Sequence, residues 1–516
     1  MSDNAGNDAV HEHVPAGQAS ELAHDDPYYI VAPAPMAGER DRVLKQGDTF
    51  AVYDHHGDIR PAGMKEQGLF HEGTRFLSCL VLRLGGGEPM FLSSTVKEDN
   101  ALFAIDLTNP DIRVADQIAV PRGTLHVFRG MLLWRGVGYQ IVRVRNYGAA
   151  RIEVPFALRF EADFADIFEV RGQTRQHRGH IQRPIVANSS VVLAYEGLDG
   201  VIRRTRLEFD PPPARLSGTE ARFGVALDPH QEATFHLTVA CETGNGAAPK
   251  PLDYATALEN TSNSMRDAKA QACDIYTSNE QFNDWLNRSI ADLMMMLTHT
   301  PHGLYPYAGV PWFSTPFGRD GIITALQSLW LEPDIARGVL SYLAANQADA
   351  TIPEQDAEPG KILHEARLGE MAALREIPFA KYYGSVDSTP LFVLLAGAYF
   401  ERTGDREFAE RLWPHVERAL EWIDRYGDRD DDGFVEYFRA TPEGLAQQGW
   451  KDSSDSIFHA DGTLAQGPIA LCEVQGYVYA AKRGAAKLAV ALDRIDAADE
   501  LGRQAAVLRK RFEESF

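Results

Sequence analysis

Apolar and polar residues alternate along the first half of the chain. The clearest alternating runs are residues 140–147, 151–160 and 233–240. Successive side chains of a strand point to opposite faces, so this period of two is typical of strands with one buried face. Turn-forming clusters separate the runs, at residues 55–58, 85–87, 146–148 and 211–213. The pattern predicts an all-β sandwich of unusual size, with no helix-length segment inside it.

The second half of the chain changes to a helical period. The predicted helices are residues 254–273, 278–298, 320–331, 333–347, 388–402, 405–426, 467–491 and 495–514. Gly404 is expected to end one of them, and Thr389-Pro390 to begin another as N-cap and first residue. No run of comparable strength predicts a strand in this half. The fold class is therefore β followed by α, with an array of paired helices.

Four segments follow from these patterns. Residues 1–26 are polar and acidic and lack an apolar signal core, so we expect a disordered tail and no secretion. Residues 27–242 form the β-sandwich, and residues 243–275 form a linker and a connecting helix. Residues 276–516 form the helical domain.

Composition excludes several classes of partner. The chain has 516 residues, 51 basic and 73 acidic, with a net charge of −22, which argues against nucleic acid and anionic membrane surfaces as partners. No apolar run is long enough for a transmembrane helix. The four cysteines are scattered, without CxxC spacing, and we expect them to be reduced, buried and inert in a cytoplasmic protein.

The stretch 310–321 joins two predicted helices and is rich in proline, glycine and aromatic residues. Its Trp312 is an aromatic candidate for a ligand site. Arg319 and Asp320 stand at the mouth of the second helix, where a carboxylate is electrostatically favoured. Asp320 could accept hydrogen bonds from the hydroxyls of a neutral polyol. Alternatively, Asp320 is only an N-cap and Arg319 its surface partner.

Two long loops, residues 349–386 and 427–466, carry the remaining candidates. Long loops inside a compact domain are usually functional. The candidates are Glu365, Tyr383, Asp387, Trp450, Asp452 and Asp455. A carboxyl group packed against an indole would be desolvated and could stay protonated as a general acid. Turn formation and core packing are the alternatives for each residue alone. Together, aromatic rings and carboxylates without an excess of basic residues suit a pocket that binds a neutral carbohydrate.

A separate acidic segment places Asp428, Asp430 and Asp432 at alternate positions before Gly433. This resembles the front half of a calcium-binding loop. The glutamate expected at the twelfth position is absent, because Arg439 stands there. A structural Ca²⁺ or a solvated acidic turn are the two interpretations. The sequence contains no Gly-x-Ser-x-Gly, His-Glu-x-x-His, Walker or convincing Rossmann motif, and no cofactor is expected to be required.

Four segments resemble bacterial glycogen-debranching-type amylo-α-1,6-glucosidases: residues 68–78, 311–320, 382–390 and 449–452. The resemblance implies a supersandwich-like β domain followed by an (α/α)6 six-hairpin glycosidase barrel. It implies hydrolysis of α-1,6-glucosidic bonds in branched α-glucans, most often with inversion. The two catalytic carboxyls would then stand about 6.5–9.5 Å apart.

The same resemblance assigns roles to the candidates. Asp452 would be the general acid, with Asp455 in reserve. Arg319 and Asp320 would bind the glucosyl hydroxyls. The other substrate-binding positions are Trp312, Glu365, Tyr383, Asp387 and Trp450.

The sequence departs from the family in one respect. A six-hairpin barrel needs twelve helices, and about seven are predicted from residue 278 onward. The family's catalytic base lies near the end of the barrel, so no base is assigned in this chain. We expect a barrel that is incomplete at its C-terminus and has little or no activity.

Two other functions stay open at this point. A related six-hairpin enzyme would be a glycoside phosphorylase or a hydrolase of a small glucoside. A non-catalytic carbohydrate-binding protein would bind maltooligosaccharide without hydrolysis. Linkage preference, glucan length and oligomeric state do not follow from the sequence.

Overall fold

The computed structural model describes residues 41–60, 66–114, 117–244 and 250–516. The predicted tail, residues 1–26, and residues 245–249 of the predicted linker lie outside the described part of the chain.

The strands come first in the chain, with one hairpin among the helices. They are β1 (Arg42–Gln46), β2 (Thr49–Tyr53), β3 (Gly68–His71), β4 (Thr74–Leu77), β5 (Cys79–Leu84), β6 (Met90–Val96), β7 (Phe103–Thr108), β8 (Ile112–Val114), β9 (Gln117–Val120), β10 (Leu125–Trp134), β11 (Val137–Asn146), β12 (Ile152–Glu161), β13 (His180–Ile181), β14 (Ile185–Val186), β15 (Ser190–Glu196), β16 (Ile202–Asp210), β17 (Arg215–Leu216), β18 (Glu220–Leu227), β19 (Glu232–Thr243), β20 (Leu297–Thr300) and β21 (Gly303–Pro306).

The helices are α1 (Ile167–Arg171), α2 (Tyr254–Gln271), α3 (Glu280–Met296), α4 (Gly318–Ser328), α5 (Pro333–Ala345), α6 (Glu370–Ala373), α7 (Ser388–Thr403), α8 (Arg406–Arg425), α9 (Cys472–Ala491) and α10 (Ile495–Ser515).

Antiparallel sheets build the β region. The largest has nine strands, in the order β13-β15-β16-β19-β11-β10-β7-β6 with β14 beside β15. A four-stranded sheet, β17-β18-β12-β5, faces it. Phe156 and Phe223 of the smaller sheet pack against Phe235 of the larger one, with ring centroids 4.6 and 5.2 Å apart. The alternation in β12, whose every second residue is buried, places one face in this core. The predicted β-sandwich is confirmed.

Helical hairpins build the second region. The helices pair as α4 with α5, α7 with α8 and α9 with α10, each pair joined by a short connection. Connecting helix α2 packs on the large sheet through Ala257, which is buried with Leu132 and Tyr139. Gly404 ends α7 in the left-handed conformation, with φ of +67°. The predicted change from β to α is confirmed.

Local details differ from the predictions. Helix α1 interrupts the β region, and its five residues are too few to show a helical period. The hairpin β20–β21 lies among the helices. Helix α7 begins at Ser388, with Asp387 in the N-cap position, two residues before the predicted cap. Two of the four cysteines, Cys273 and Cys472, are exposed instead of buried.

Helices α4, α7 and α9 begin at the same end of the helical region. The amide of Gly318 donates to the carbonyl of His364 at 2.7 Å, which fixes the start of α4 against the first long loop. The approach is so close that a Cβ at Gly318 would lie 1.9 Å from the carbonyl oxygen of Leu363. Among the described residues, no helix has an apolar stretch long enough to cross a membrane.

Candidate active site

Arg319, at the start of α4, connects the start of α7 with the second long loop. Its Nη1 donates to Asp387 Oδ2 at 3.3 Å and to the carbonyl of Gly449 at 2.8 Å. Its Nη2 donates to Asp452 Oδ2 at 3.1 Å. Three sequence-predicted residues from α4, α7 and the second long loop therefore meet at one guanidinium group.

The two carboxylates that Arg319 joins differ in their surroundings. Asp387 is 1% exposed, and its Oδ1 also accepts from Ser385 Oγ at 2.5 Å. Asp452 is 45% exposed. A buried carboxylate with two donors is a fixed anchor, whereas a half-exposed carboxylate stays accessible to a ligand. The arrangement therefore has a buried side at Asp387 and a solvent-accessible side at Asp452.

Asp320 is the third residue of α4 and makes no N-cap bond, since Phe317 occupies the cap position. The N-cap alternative for Asp320 is therefore wrong. Burial raises the pKa of Asp320, while the positive charge of Arg319 opposes this change. The carboxylates of Asp452 and Asp387 raise it further. Asp320 belongs to the same charge cluster.

Glu365 forms a second buried pair in the cluster. Arg367 Nε donates to Glu365 Oε2 at 2.7 Å, and the two side chains are 6% and 5% exposed. Burial raises the pKa of Glu365, and Arg367 opposes the rise. The charges of Arg171 and Asp452 also act on Glu365, so these groups lie nearby.

Arg367 also contacts two residues of the 310–321 stretch. Its Nη1 donates to the carbonyl of Trp312 at 2.9 Å. Its guanidinium lies over the rings of Phe168 and Phe317, 4.9 and 5.6 Å from their centroids. Phe168 belongs to α1 in the β region, so the β region contacts the candidate site directly.

The three predicted aromatic residues differ in how far they are exposed to solvent. Trp312 is half-buried, and Trp450 is 54% exposed on the second long loop. The ammonium of Lys451 lies 5.3 Å from the centroid of the Trp450 ring. Tyr383 is buried and donates from its hydroxyl to the carbonyl of Asn346 at 2.8 Å. Burial raises the pKa of Tyr383 to about 12.

The surroundings of Asp452, the predicted general acid, differ from those that the sequence predicted. Asp452 and Trp450 are both exposed to about half, so the predicted burial of a carboxyl against the indole is not found. Asp452 contacts Arg319 and remains exposed to solvent. Asp455 is exposed on the same loop.

Sequence reasoning missed three residues at this site: Arg171, Arg367 and Tyr477. Burial raises the pKa of Tyr477, and the negative charges of Asp387 and Glu473 raise it further, which places Tyr477 beside Asp387. Glu473 and Tyr477 are four residues apart and share a face of α9. That spacing was visible in the sequence, but nothing local indicates which end of α9 meets the site.

The acidic segment before Gly433 lies apart from this charge cluster. Oxygen atoms of Asp428, Asp430 and Asp432 lie within 4.8 Å of one another. Asp428 Oδ2 accepts from the amide of Gly433 at 2.9 Å, and Asp430 Oδ1 accepts from the amide of Asp432 at 3.2 Å. These bonds are those of a tight acidic turn, and calcium binding stays a prediction.

Comparison with known proteins supports the fold. Residues 44–238 match the family model described as the N-terminal domain of (some) glycogen debranching enzymes. The chain is similar to a protein assigned as a kojibiose phosphorylase from the human microbiome, with a TM-score of 0.57 and 9% identity, over 92% of this chain and 67% of that one. It is similar to a bacterial glucoamylase complexed with acarbose, with a TM-score of 0.54 and 13% identity, over 93% of this chain and 69% of that one.

No curated protein sequence matches the chain. At identities this low, the likeness to the two solved structures establishes the fold alone. Residues 44–238 are thus a domain of the kind that some glycogen debranching enzymes carry at their N-terminus, followed by a helical region with the fold of six-hairpin glycosidases.

Proposed function

We propose that the protein is a glycoside hydrolase of the glycogen-debranching type, which hydrolyses α-1,6-glucosidic bonds in branched α-glucans with inversion. The observation that carries the proposal is the Arg319 bridge between buried Asp387 and half-exposed Asp452. The bridge leaves the carboxyl group of Asp452 accessible to solvent. Arg319, which also binds buried Asp387, fixes the position of that carboxyl group.

Asp452 acts as the general acid in this proposal. It donates a proton to the glycosidic oxygen as the bond between that oxygen and C1 breaks. Water adds to C1 from the opposite face and gives its proton to a base, whose identity is not assigned. The contact with Arg319 Nη2 at 3.1 Å keeps the Asp452 carboxyl in place, and a bound sugar would exclude water from its exposed side.

The other residues bind the sugar. The carboxylates of Asp320 and Glu365 accept hydrogen bonds from glucosyl hydroxyls, and the guanidinium of Arg319 donates hydrogen bonds to glucosyl hydroxyls. Trp312 and Trp450 supply apolar ring faces, which suit the C–H faces of a sugar, whereas Tyr383 is buried and is not placed against the sugar. Asp455 is the reserve acid on the same loop.

The test compares a branched limit dextrin with a linear maltodextrin as substrates for a protein in which this chain is joined to the further helices that a twelve-helix barrel needs. We expect glucose release from the branched substrate, and a loss of at least a hundredfold in kcat/KM for Arg319→Ala. Arg402→Ala, at the exposed end of α7, is the control and should retain activity. Absence of glucose release from the branched substrate would contradict the proposal.

A glycoside phosphorylase is the second candidate, because the chain shares its fold with a protein assigned as one. The guanidinium groups of Arg171 and Arg367 near Glu365 would suit a phosphate anion. Turnover that requires phosphate and yields glucose 1-phosphate would select this candidate. Turnover of small glucosides alone would select a small-glucoside hydrolase, and binding without turnover a carbohydrate-binding protein.

A further inference from the structure

Asp356 is a buried carboxylate that joins three segments around the candidate site. It is 3% exposed. Its Oδ1 accepts from the amide of Ala440 at 2.6 Å. Its Oδ2 accepts from the hydroxyl of Tyr382 at 2.7 Å and from Nε2 of Gln448 at 3.1 Å. Both oxygens of this one side chain are therefore occupied by donors from the two long loops.

These contacts lead directly to the loop that carries Asp452. The amide of Leu445 donates to the hydroxyl of Tyr382 at 2.8 Å. The carbonyl of Gln448 accepts from the amide of Val386 at 2.8 Å. The next carbonyl, of Gly449, accepts from Arg319. Hydrogen bonds therefore hold the second long loop from Ala440 to Gly449, which stands three positions before Asp452.

The contacts at position 356 favour a carboxyl group over an amide. Three donors point at its two oxygens, so an amide there would place its own N–H groups against donors. Lys361 is the cation beside it, and its Nζ donates to the main-chain carbonyl of Asp356 at 2.9 Å. Burial lowers the pKa of Lys361, and the charges of Glu358 and Asp356 oppose this change.

The second long loop packs closely against Asp356 and Tyr382 at Gly444. A Cβ at Gly444 would lie 2.6 Å from Asp356 Oδ2 and 2.6 Å from the hydroxyl of Tyr382. Asp356 itself adopts the left-handed conformation, with φ of +49°. Non-glycine residues rarely adopt it unless the surrounding structure fixes them there.

We propose that Asp356 is a positioning residue, which holds the second long loop so that Asp452 meets Arg319. Asp356 does not contact substrate and acts only through the loop. The proposal rests on the proposed function for the role of Asp452, but its structural half can be measured without any activity.

The structural half is tested by amide hydrogen exchange of residues 440–452 in Asp356→Asn. We expect exchange at least tenfold faster in this segment than in wild type. Glu354→Gln, an exposed carboxylate two residues away, is the matched control and should leave exchange unchanged. If Asp356→Asn does not fold, Tyr382→Phe removes one of the three donors and should give a smaller increase. Unchanged exchange in the variant that folds would overturn the proposal.

The functional half compares two substrates that differ in their leaving groups. Protonation is needed for the sugar leaving group of a limit dextrin but not for the fluoride of α-glucosyl fluoride. We expect kcat on the dextrin to fall at least tenfold more than kcat on the fluoride in Asp356→Asn. An equal loss on both would indicate a purely structural role and contradict the proposal. If wild type acts on neither, the proposed function fails while the exchange result stands.

Discussion

The guanidinium of Arg367 lies 4.9 Å from the centroid of the Phe168 ring and so joins the β region to the candidate site. The same arginine donates to Glu365 and to the main chain of Trp312. The β region thus contributes Phe168 to the support of the residue that holds Glu365 and Trp312.

Removal of the Phe168 ring tests this coupling. We expect Phe168→Ala to lower the free energy of unfolding by about 3 kcal/mol, as for other buried Phe-to-Ala changes, and to raise KM because Arg367 loses its support. Phe91→Ala, at a side chain that is 39% exposed in the same region, is the control. A variant with lowered stability and unchanged KM would show that the β region does not shape the site. Thermal unfolding and steady-state kinetics give the two values.

The buried pair of Arg367 and Glu365 should behave as a unit. Arg367→Met leaves a buried carboxylate unpaired and should cost about 3–5 kcal/mol of stability. Glu365→Gln combined with Arg367→Met removes both charges, so we expect the double variant to be more stable than Arg367→Met. Equal stability of the single and double variants, measured by chemical denaturation, would mean that the charges are not coupled.

Asp166 should make stability depend on pH in an unusual direction. It caps α1 and accepts from the amide of Met371 in α6, and burial raises its pKa to about 6. The unfolded side chain titrates near pH 4. Between these values the folded state binds more protons, so the free energy of unfolding falls as pH rises. The shift corresponds to about 3 kcal/mol.

The measurement is the difference in unfolding free energy between wild type and Asp166→Asn from pH 4 to pH 7. We expect wild type to lose its advantage, or to become the less stable of the two, as pH rises through this window. Asp253→Asn is the control, because hydrogen bonds from Thr256 lower the pKa of this exposed N-cap. Its stabilising effect is lost only as pH falls. A difference for Asp166→Asn that rises with pH would refute the assignment.

Gly318 should tolerate no side chain. A Cβ there would lie 1.9 Å from the carbonyl oxygen of Leu363, so Gly318→Ala must displace the start of α4 and Arg319 with it. We expect a loss of about 1–3 kcal/mol of stability and loss of substrate binding. Gly502→Ala meets nothing within 4 Å on α10 and should raise stability by about 0.5–1 kcal/mol. Calorimetric titration with a branched oligosaccharide reports the binding.

Local patterns predicted the long elements well. The helical period predicted a helix at 333–347, close to the observed α5, Pro333–Ala345. Helix α9 begins five residues later than predicted, after Gly467-Pro468. Helix α1 has too few residues for a periodic signal. Local information therefore sufficed where an element was long and one face of it was buried.

The candidate site was predictable only in part. Resemblance to a family brought Arg319, Asp387 and Asp452 together, although 133 positions separate the first from the last. The burial of Asp356 and Glu365 depends on contacts between distant segments, and nothing in an acidic loop shows which carboxylate will be enclosed. For the same reason the expected desolvation of Asp452 against Trp450 was wrong.

The most direct test of the central claim is the activity of Asp452→Asn on two substrates. If Asp452 donates the proton, the variant should lose about 10²–10⁴-fold in kcat/KM on a branched limit dextrin, yet lose less than tenfold on α-glucosyl fluoride, which needs no acid. Asp455→Asn should retain activity on both. Equal losses on both substrates, or full activity of Asp452→Asn on the dextrin, would contradict the account.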